Sequence, residues 1–334
     1  MTKLSLRDAL NRAHHQIMSA DDTVVVIGED ILGGSGVDGG QELGGVFGVT
    51  AGLAARFGEA RVIDTPISET AFVGMATGAA MTGLKPIVEV MFCDFMGVCF
   101  DQIMNQAAKA RFLSDGRFDL PLTIRTTMGA GDGSAAMHSQ SIYGLLATVP
   151  GLVVACPSTP ADAAGILKAA VAAKGPVVLM EHKGLYGEMG VVDEALPPVP
   201  LGKGRVVREG ADVTIVAVSA FVNRAVEAAD LLNAEGIEAE VIDPRTIKPL
   251  DLPLILESVK KTGRLLVAAE DAAFGGFADA VISAVSRAAF SDLRAAPAAI
   301  TPPDAPVPYG RKAEAVWLPG TDEIVAAASA LATA

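Results

Sequence analysis

The sequence predicts an α/β protein made of two doubly wound domains. Near-continuous apolar runs alternate with helical patterns along almost the whole chain, and one stretch rich in proline and glycine interrupts this alternation. Such runs are typical of parallel strands that helices cover on both faces. The 334 residues, of which 51% are hydrophobic, suffice for two domains with separate cores.

Six apolar runs predict the buried strands of the first domain, and periodic stretches between them predict its helices. We assign this domain to residues 1–190. Its strands are predicted at 23–28, 60–66, 85–92, 120–126, 151–157 and 175–182, and its helices at 5–18, 49–57, 68–82, 95–112 and 160–173.

The proline- and glycine-rich stretch, EALPPVPLGKG (194–204), has no periodicity and predicts a linker, which we place at 191–204. The alternation then resumes, so a second domain is expected at 205–334. Its strands are predicted at 212–219, 238–243, 264–271 and 297–301, and its helices at 223–234, 251–260, 277–289 and 322–332.

The composition excludes some classes of binding partner and favours others. The net charge of −13 argues against binding to nucleic acid or to an anionic membrane. The N-terminus lacks the apolar centre of a signal peptide, and the three cysteines have no metal-ligand spacing, so a reduced cytoplasm is expected. The mean hydropathy of +0.41 predicts surface reserved for permanent protein partners.

Two glycine-rich motifs invite a cofactor interpretation that their context does not support. Gly34, Gly36 and Gly39 satisfy the dinucleotide pattern G-x-G-x-x-G, but the preceding strand ends too early and no helix opens at Gly39, so a loop over a pocket is predicted. The second motif is the G-D-G at 131–133. In thiamine-diphosphate enzymes this tripeptide binds magnesium and diphosphate together with paired asparagines roughly thirty residues downstream. Here the next asparagine is Asn223, which is too far along the chain. A loop turn is predicted instead.

Glu69 lies in DTPISETAF (64–72), where a strand turns into a helix. One interpretation is structural, because Ser68 could cap the helix and Glu69 would favour its first turn. The other is catalytic, because apolar flanking residues would desolvate the carboxyl, which suits a group that shares a proton.

His138 lies in a loop of small residues, GSAAMHSQS (133–141), after a strand, where catalytic groups of α/β sheets collect. A core contact is the structural alternative. We expect His14 and His15 to be solvated on a charged helix, whereas His182, at a strand end, fits either role. The simplest interpretation of Phe95 is a core residue. At the end of a strand, however, its ring could also present a flat face to a heterocycle.

Several stretches together resemble the beta subunits of 2-oxo-acid dehydrogenases. The resemblance rests on GED (28–30), GVFGVTAGLAARFG (45–58), IDTPISE (63–69), FDQIMNQAAK (100–109), HSQS (138–141), PGLVVACPS (150–158), EVIDPRTIKPLD (240–251), KTGRLL (261–266) and TPPDAPVPY (301–309). It spans essentially the whole chain in order. VMFCDFMGVCFDQ (90–102) and MEHKGLYG (180–187) are more similar to the acetoin-cleaving branch than to enzymes of pyruvate or branched-chain oxo acids.

The resemblance implies a transketolase-like pyrimidine-binding domain followed by a transketolase C-terminal domain. It implies an alpha subunit that holds magnesium and the diphosphate of thiamine diphosphate, in a heterotetramer of two alpha and two beta chains. It also implies a lipoyl-bearing acyltransferase that takes the two-carbon product. The alternatives are a pyruvate or branched-chain 2-oxo-acid dehydrogenase, and a non-catalytic binding protein of the same fold.

The resemblance also implies residue roles. Glu69 would share a proton with the pyrimidine ring of the cofactor, with Phe95 on the ring face and Met91 beside it. His138 would move protons near the substrate or assist transfer to lipoamide, and Met137 stands where the family usually has glutamine. Some relatives bind potassium through backbone carbonyls, and the corresponding positions here are Leu122, Ala170, Ala173 and Gly175.

Overall fold

The computed structural model describes residues 1–32 and 44–334. The predicted glycine loop at 34–39 lies outside these residues. The chain divides into two compact units, the first comprising Met1–Met128 and Ala147–Leu201 and the second Gly129–Leu146 and Gly202–Ala334. Each unit is an α/β structure with a largely parallel sheet, which confirms the predicted fold class.

The first unit contains a six-stranded parallel sheet in the order β6-β7-β5-β4-β2-β3 and a two-stranded antiparallel ribbon of β1 and β8. The strands β2, β5 and β7 are almost wholly buried, as the apolar runs predict, whereas the edge strand β3 is only partly buried. The strands are β1 (Thr2–Ser5), β2 (Val24–Glu29), β3 (Val62–Thr65), β4 (Lys85–Phe92), β5 (Thr123–Met128), β6 (Val153–Ala155), β7 (Val177–His182) and β8 (Met189–Val192).

Helices cover this sheet. They are α1 (Leu6–Ala20), α2 (Leu53–Phe57), α3 (Glu69–Met81), α4 (Ala108–Leu113) and α6 (Pro160–Val171). Ser5 and Thr159 cap α1 and α6, because their side-chain oxygens accept hydrogen bonds from the amides of Asp8 and Asp162. Helices α1 and α6 pack against each other.

The solvated position predicted for His14 is wrong. His14 is fully buried on the inner face of α1, where its Nδ1 lies 2.8 Å from the carbonyl oxygen of Leu10. Burial lowers the pKa of its imidazole to about 3, so the ring is neutral and Nδ1 donates this bond. His15, one residue on, is half-buried beside the ring of Phe57.

The helix predicted at 95–112 is not continuous. Cys93–Gly97 forms a 3₁₀ turn, and the helix that follows contains a π-helical segment at Gln102–Ala107 before α4 begins. The π segment lies against α3, where a Cβ added to Gly74 would stand 2.9 Å from Oε1 of Gln102. Tertiary contact with α3 therefore replaces the regular helix predicted from periodicity.

The second unit has a five-stranded sheet in the order β14-β13-β10-β11-β9, parallel except for β9. Its strands are β9 (Arg205–Arg208), β10 (Val213–Ala217), β11 (Ala239–Asp243), β13 (Leu265–Ala268) and β14 (Ala298–Ile300), with a short strand, β12 (Thr246–Lys248). Its helices are α5 (Tyr143–Ala147), α7 (Ala220–Ala234), α8 (Leu252–Thr262), α9 (Phe277–Ala289), α10 (Arg311–Trp317) and α11 (Thr321–Thr333).

The two units differ from the predicted domain division in one segment. Residues 129–146 were assigned to the first domain, but their contacts group them with the second. Backbone amides of this segment donate to side chains of the second unit, such as that of Ala130 to Glu270 Oε1 at 2.7 Å. The boundary at Leu201 falls within the predicted linker. In the described part of the chain, no helix is long and apolar enough to cross a membrane.

Candidate functional site

Glu69 is the first residue of α3 and is only 8% exposed. Ser68 occupies the cap position, but its side chain forms no capping hydrogen bond and its hydroxyl instead donates to the carbonyl of Pro66 at 3.1 Å. Within residues 1–32 and 44–334, the carboxyl of Glu69 has no hydrogen-bond partner. Its oxygens are not among the fully buried polar atoms that lack a partner. A largely buried residue whose carboxyl oxygens accept no hydrogen bond from the described residues favours a ligand-binding role.

Acidic groups surround this carboxyl. Burial, and then the charges of Asp30, Glu69 and Asp64, raise the pKa of Glu29 at the end of β2. Burial together with the charge of Glu69 raises the pKa of the Cys99 thiol to about 12. Glu29 and the Cys99 thiol thus both lie close enough to Glu69 to be affected by its charge.

The turn that carries Phe95 is joined to the start of α3. The hydroxyl of Thr70 donates to the carbonyl of Val98 at 2.7 Å. Phe95 stands edge-to-face with Phe92, their ring centroids 5.6 Å apart and their planes at 75°. Met91 precedes this turn in β4, and its carbonyl accepts the hydroxyl of Thr127 at 2.5 Å. The structure thus brings the segments of Glu69, Phe95 and Met91 together in the first unit.

A buried ionic network spans neighbouring strands of the same sheet. The guanidinium of Arg125 on β5 donates two hydrogen bonds to Glu181 on β7, at 2.7 and 2.6 Å, and one to Glu89 on β4, at 2.6 Å. The Tyr186 hydroxyl also donates to Glu181, at 2.7 Å. Burial opposes the charge of Arg125, but the two carboxylates raise its pKa above the ordinary value.

His138 belongs to the second unit and is half-buried in the loop between β5 and α5. Its amide donates to the carbonyl of Ala135 at 3.2 Å, and the loop is closed where the amide of Gly129 donates to Gln140 at 3.1 Å. The adjacent Met137 is 71% exposed. The G-D-G tripeptide bends the chain within this loop, in agreement with the predicted turn. The amides of its two glycines donate to Glu314.

The chain matches two families over nearly its whole length. The transketolase pyrimidine-binding domain matches residues 2–189, and the transketolase C-terminal domain matches residues 202–324. A split-gene transketolase, solved as an inactive beta4 tetramer, aligns with a TM-score of 0.79 and 26% identity, covering 99% of this chain and 98% of that one.

Relatives narrow the family further. The beta subunit of acetoin:2,6-dichlorophenolindophenol oxidoreductase from Cupriavidus necator is 48% identical, covering 98% of this chain and 96% of the relative. The Bacillus subtilis protein of the same name is 47% identical, covering 96% and 95%. The chain belongs to the beta subunits of the thiamine-diphosphate-dependent dehydrogenases. The family expected from the sequence is confirmed.

Dehydrogenase beta subunits with other substrates in their names are also similar to this beta subunit. The beta subunit of pyruvate dehydrogenase from Rickettsia conorii is 40% identical, covering 97% of this chain and 97% of the relative. The beta subunit of 2-oxoisovalerate dehydrogenase from Bacillus subtilis is also 40% identical, covering 99% of each chain.

The sequence analysis missed the network of Glu89, Arg125 and Glu181, and also Glu29. The sequence does contain an indication of this network, because each of its three residues is a charged residue within an otherwise apolar strand. The position of Glu29 beside Glu69 depends on parallel pairing of β2 with β3, which the sequence does not specify.

Proposed function

We propose that this beta subunit serves in an acetoin dehydrogenase and supplies the pyrimidine half of the thiamine diphosphate site. The observation that carries the proposal is the carboxyl of Glu69, buried and without a partner among the described residues, at a helix start joined to the turn of Phe95. Acetoin is favoured because the relatives named for it are more similar than those named for pyruvate or 2-oxoisovalerate.

The side chains fit a pyrimidine ring. A protonated ring nitrogen would give the Glu69 carboxyl the hydrogen bond that the described residues do not supply. Phe95 would present its ring face to the heterocycle, and Met91 would fill the space beside it. Thiamine diphosphate, when bound, supplies a thiazolium ring that acts as nucleophile and electron sink.

Glu69 would hold a proton at the ring nitrogen and so stabilise the imino tautomer of the pyrimidine. Because Glu69 is only 8% exposed, a proton shared between its carboxyl and the ring would meet little competition from water.

His138 would act at the substrate. Cleavage of acetoin to acetaldehyde requires removal of the proton from its hydroxyl group, and the imidazole of His138 is a suitable acceptor. The same group could return a proton during transfer of the two-carbon unit to lipoamide.

The diphosphate and magnesium are assigned to an alpha subunit. The amides of Gly131 and Gly133 already donate to Glu314, and no asparagine follows the tripeptide before Asn223. Relatives are named as beta subunits, which implies a partner chain. We propose two alpha and two beta chains, with a lipoyl-bearing acyltransferase as acceptor and the reduced cytoplasm as location.

A potassium site at the carbonyls of Leu122, Ala170, Ala173 and Gly175 also fits. The amide of Val177 donates to Leu122 at 2.9 Å, and that of Ala173 donates to Ala170 at 3.1 Å. The Leu122 carbonyl, which accepts this one amide, that of Val177, keeps a second lone pair for a cation. Higher thermal stability in potassium chloride than in sodium chloride at equal ionic strength would support the site, and equal stability would contradict it.

The substrate assignment can be tested on the enzyme assembled with its alpha subunit. We expect kcat/KM for acetaldehyde release from acetoin to exceed by far kcat/KM for carbon dioxide release from pyruvate or 2-oxoisovalerate. Enzyme prepared without thiamine diphosphate is the control. Preferred decarboxylation of either oxo acid would overturn acetoin as substrate and leave the family assignment intact.

A further inference from the structure

Glu314 is a fully buried carboxylate in α10 that binds the loop preceding His138. The amides of Gly131 and Gly133 donate to its Oε2 at 2.7 Å each, and the amide of Ala135 donates to its Oε1 at 3.2 Å. Three backbone amides near the start of the second unit's sequence thus donate to one side chain near its end.

The loop backbone has the conformation that this arrangement needs. Gly131, Gly133 and Ala135 all have positive φ, at +121°, +88° and +63°, with intervening residues in ordinary conformations. Such alternation turns successive amides towards one side, forming an anion-binding concavity. The G-D-G tripeptide, which resembles a diphosphate signature, therefore binds a carboxyl group of the same chain, that of Glu314. The Arg311 side chain, also in α10, adds a bond to the carbonyl of Asp132 at 3.1 Å.

A continuous series of hydrogen bonds leads from this carboxylate to His138. Oε1 of Glu314 accepts the Ala135 amide, and the carbonyl of Ala135 accepts the His138 amide at 3.2 Å. We infer that Glu314 is a positioning residue that fixes the backbone of His138 for proton transfer. The inference rests on the proposed role of His138 at the substrate.

Two substitutions separate positioning from folding. Glu314→Gln keeps one oxygen for Gly131 and Gly133, but its amide group then faces the Ala135 amide, so the link to His138 is lost while two bonds remain. Glu314→Ala removes all three bonds and leaves a space that formate or acetate can enter. Glu323→Gln is the matched control, because the Glu323 side chain also accepts a backbone amide, that of Gly320 at 2.9 Å, but on the surface at the start of α11.

In the enzyme assembled with its alpha subunit, both Glu314 variants should lower kcat for acetoin cleavage by about 10- to 100-fold with little change in KM. Thiazolium proton exchange, which depends on Glu69, should keep its wild-type rate. Formate should restore part of the kcat of Glu314→Ala but not of His138→Ala. The double variant His138→Ala/Glu314→Gln should be no slower than His138→Ala alone.

Failure of this inference is distinguishable from failure of the proposed function. If His138→Ala retained wild-type kcat, the role of His138 at the substrate would be wrong. If His138→Ala were slow but both Glu314 variants had wild-type kcat, only the positioning role would be wrong. Multiplicative losses in the double variant, loss of assembly in both Glu314 variants, or absence of formate rescue would likewise overturn it.

Discussion

The hydroxyl of Thr70 donates a hydrogen bond to the carbonyl of Val98 at 2.7 Å. Thr70 follows Glu69 at the start of α3, and Val98 directly follows the turn that holds Phe95. This hydrogen bond joins the segment of the proposed proton-sharing carboxyl to that of the proposed ring platform. Their relative placement therefore depends on a contact between two segments separated by 28 positions.

Thr70→Val should weaken this placement without unfolding the chain. The substitution is close to isosteric and removes one hydrogen bond, a contribution of about 1 kcal/mol. We expect weaker thiamine diphosphate binding by the assembled enzyme, measured by calorimetry, with a small change in Tm. Thr82→Val is the control, because Thr82 donates a similar bond, to Ala79 at 2.9 Å, at the other end of α3. Equal cofactor affinity in the two variants would contradict this explanation.

Arg125→Met should be strongly destabilising. It would leave Glu89 and Glu181 buried without their common cation, and loss of one partner of a buried ion pair costs about 3–5 kcal/mol. Arg111→Met is a suitable control, because its pair with Asp119 is on the surface and contributes less than about 1 kcal/mol. Thermal unfolding should show a large decrease in Tm for the first variant alone, and equal decreases would refute the structural role of the network.

His14 should make stability depend on pH below neutrality. Its folded-state pKa of about 3 lies below the unfolded value of 6.5, so the unfolded state binds more protons between these values. Stability is therefore present above pH 6.5 and decreases as the pH falls towards 3, by roughly 1.4 kcal/mol per unit. His14→Asn, whose amide can donate to the Leu10 carbonyl in place of Nδ1, should flatten the curve of Tm against pH.

His15→Asn provides the comparison for this test, since the neighbouring His15 is half-exposed. Burial lowers the pKa of His15 as well, so its curve should be flatter than that of the wild type but less so than that of His14→Asn. An unchanged slope in His14→Asn would show that other groups cause the acid sensitivity.

Long apolar elements were predictable from the sequence. The strand at Lys85–Phe92 and the helix at Phe277–Ala289 have the predicted bounds, because their pattern alone determines them. The short strands Thr2–Ser5 and Met189–Val192 were missed, since each is stabilised by pairing with the other and neither has an apolar run. The buried position of His14 was missed because most residues around it, in NRAHHQ (11–16), are polar.

The candidate site was only partly predictable. The sequence identified Glu69, His138, Phe95 and Met91 as candidates, but not the contacts that hold their segments in place. The joining of Glu69 to the Phe95 turn, and of His138 to Glu314, depends on contacts between distant segments. The grouping of 129–146 with the second unit has the same origin, because it follows from side chains more than 100 positions further along the chain.

The central claim is that Glu69 activates the cofactor, and Glu69→Gln tests it most directly. A favourable charge at a helix start contributes only roughly 0.3–1 kcal/mol of stability and no chemistry. Glutamine preserves the shape of the side chain but cannot share a proton with the pyrimidine ring nitrogen as a carboxyl does. Glu188→Gln, at an exposed glutamate of the same unit, is the control.

The measurement is hydrogen–deuterium exchange at the thiazolium carbon of the assembled enzyme, followed by quenched flow and NMR. We predict that Glu69→Gln assembles and still binds thiamine diphosphate, but exchanges this proton at least about 100-fold more slowly than the wild type. Wild-type exchange in the Glu69→Gln enzyme would show that Glu69 only begins a helix, and would contradict the proposed mechanism.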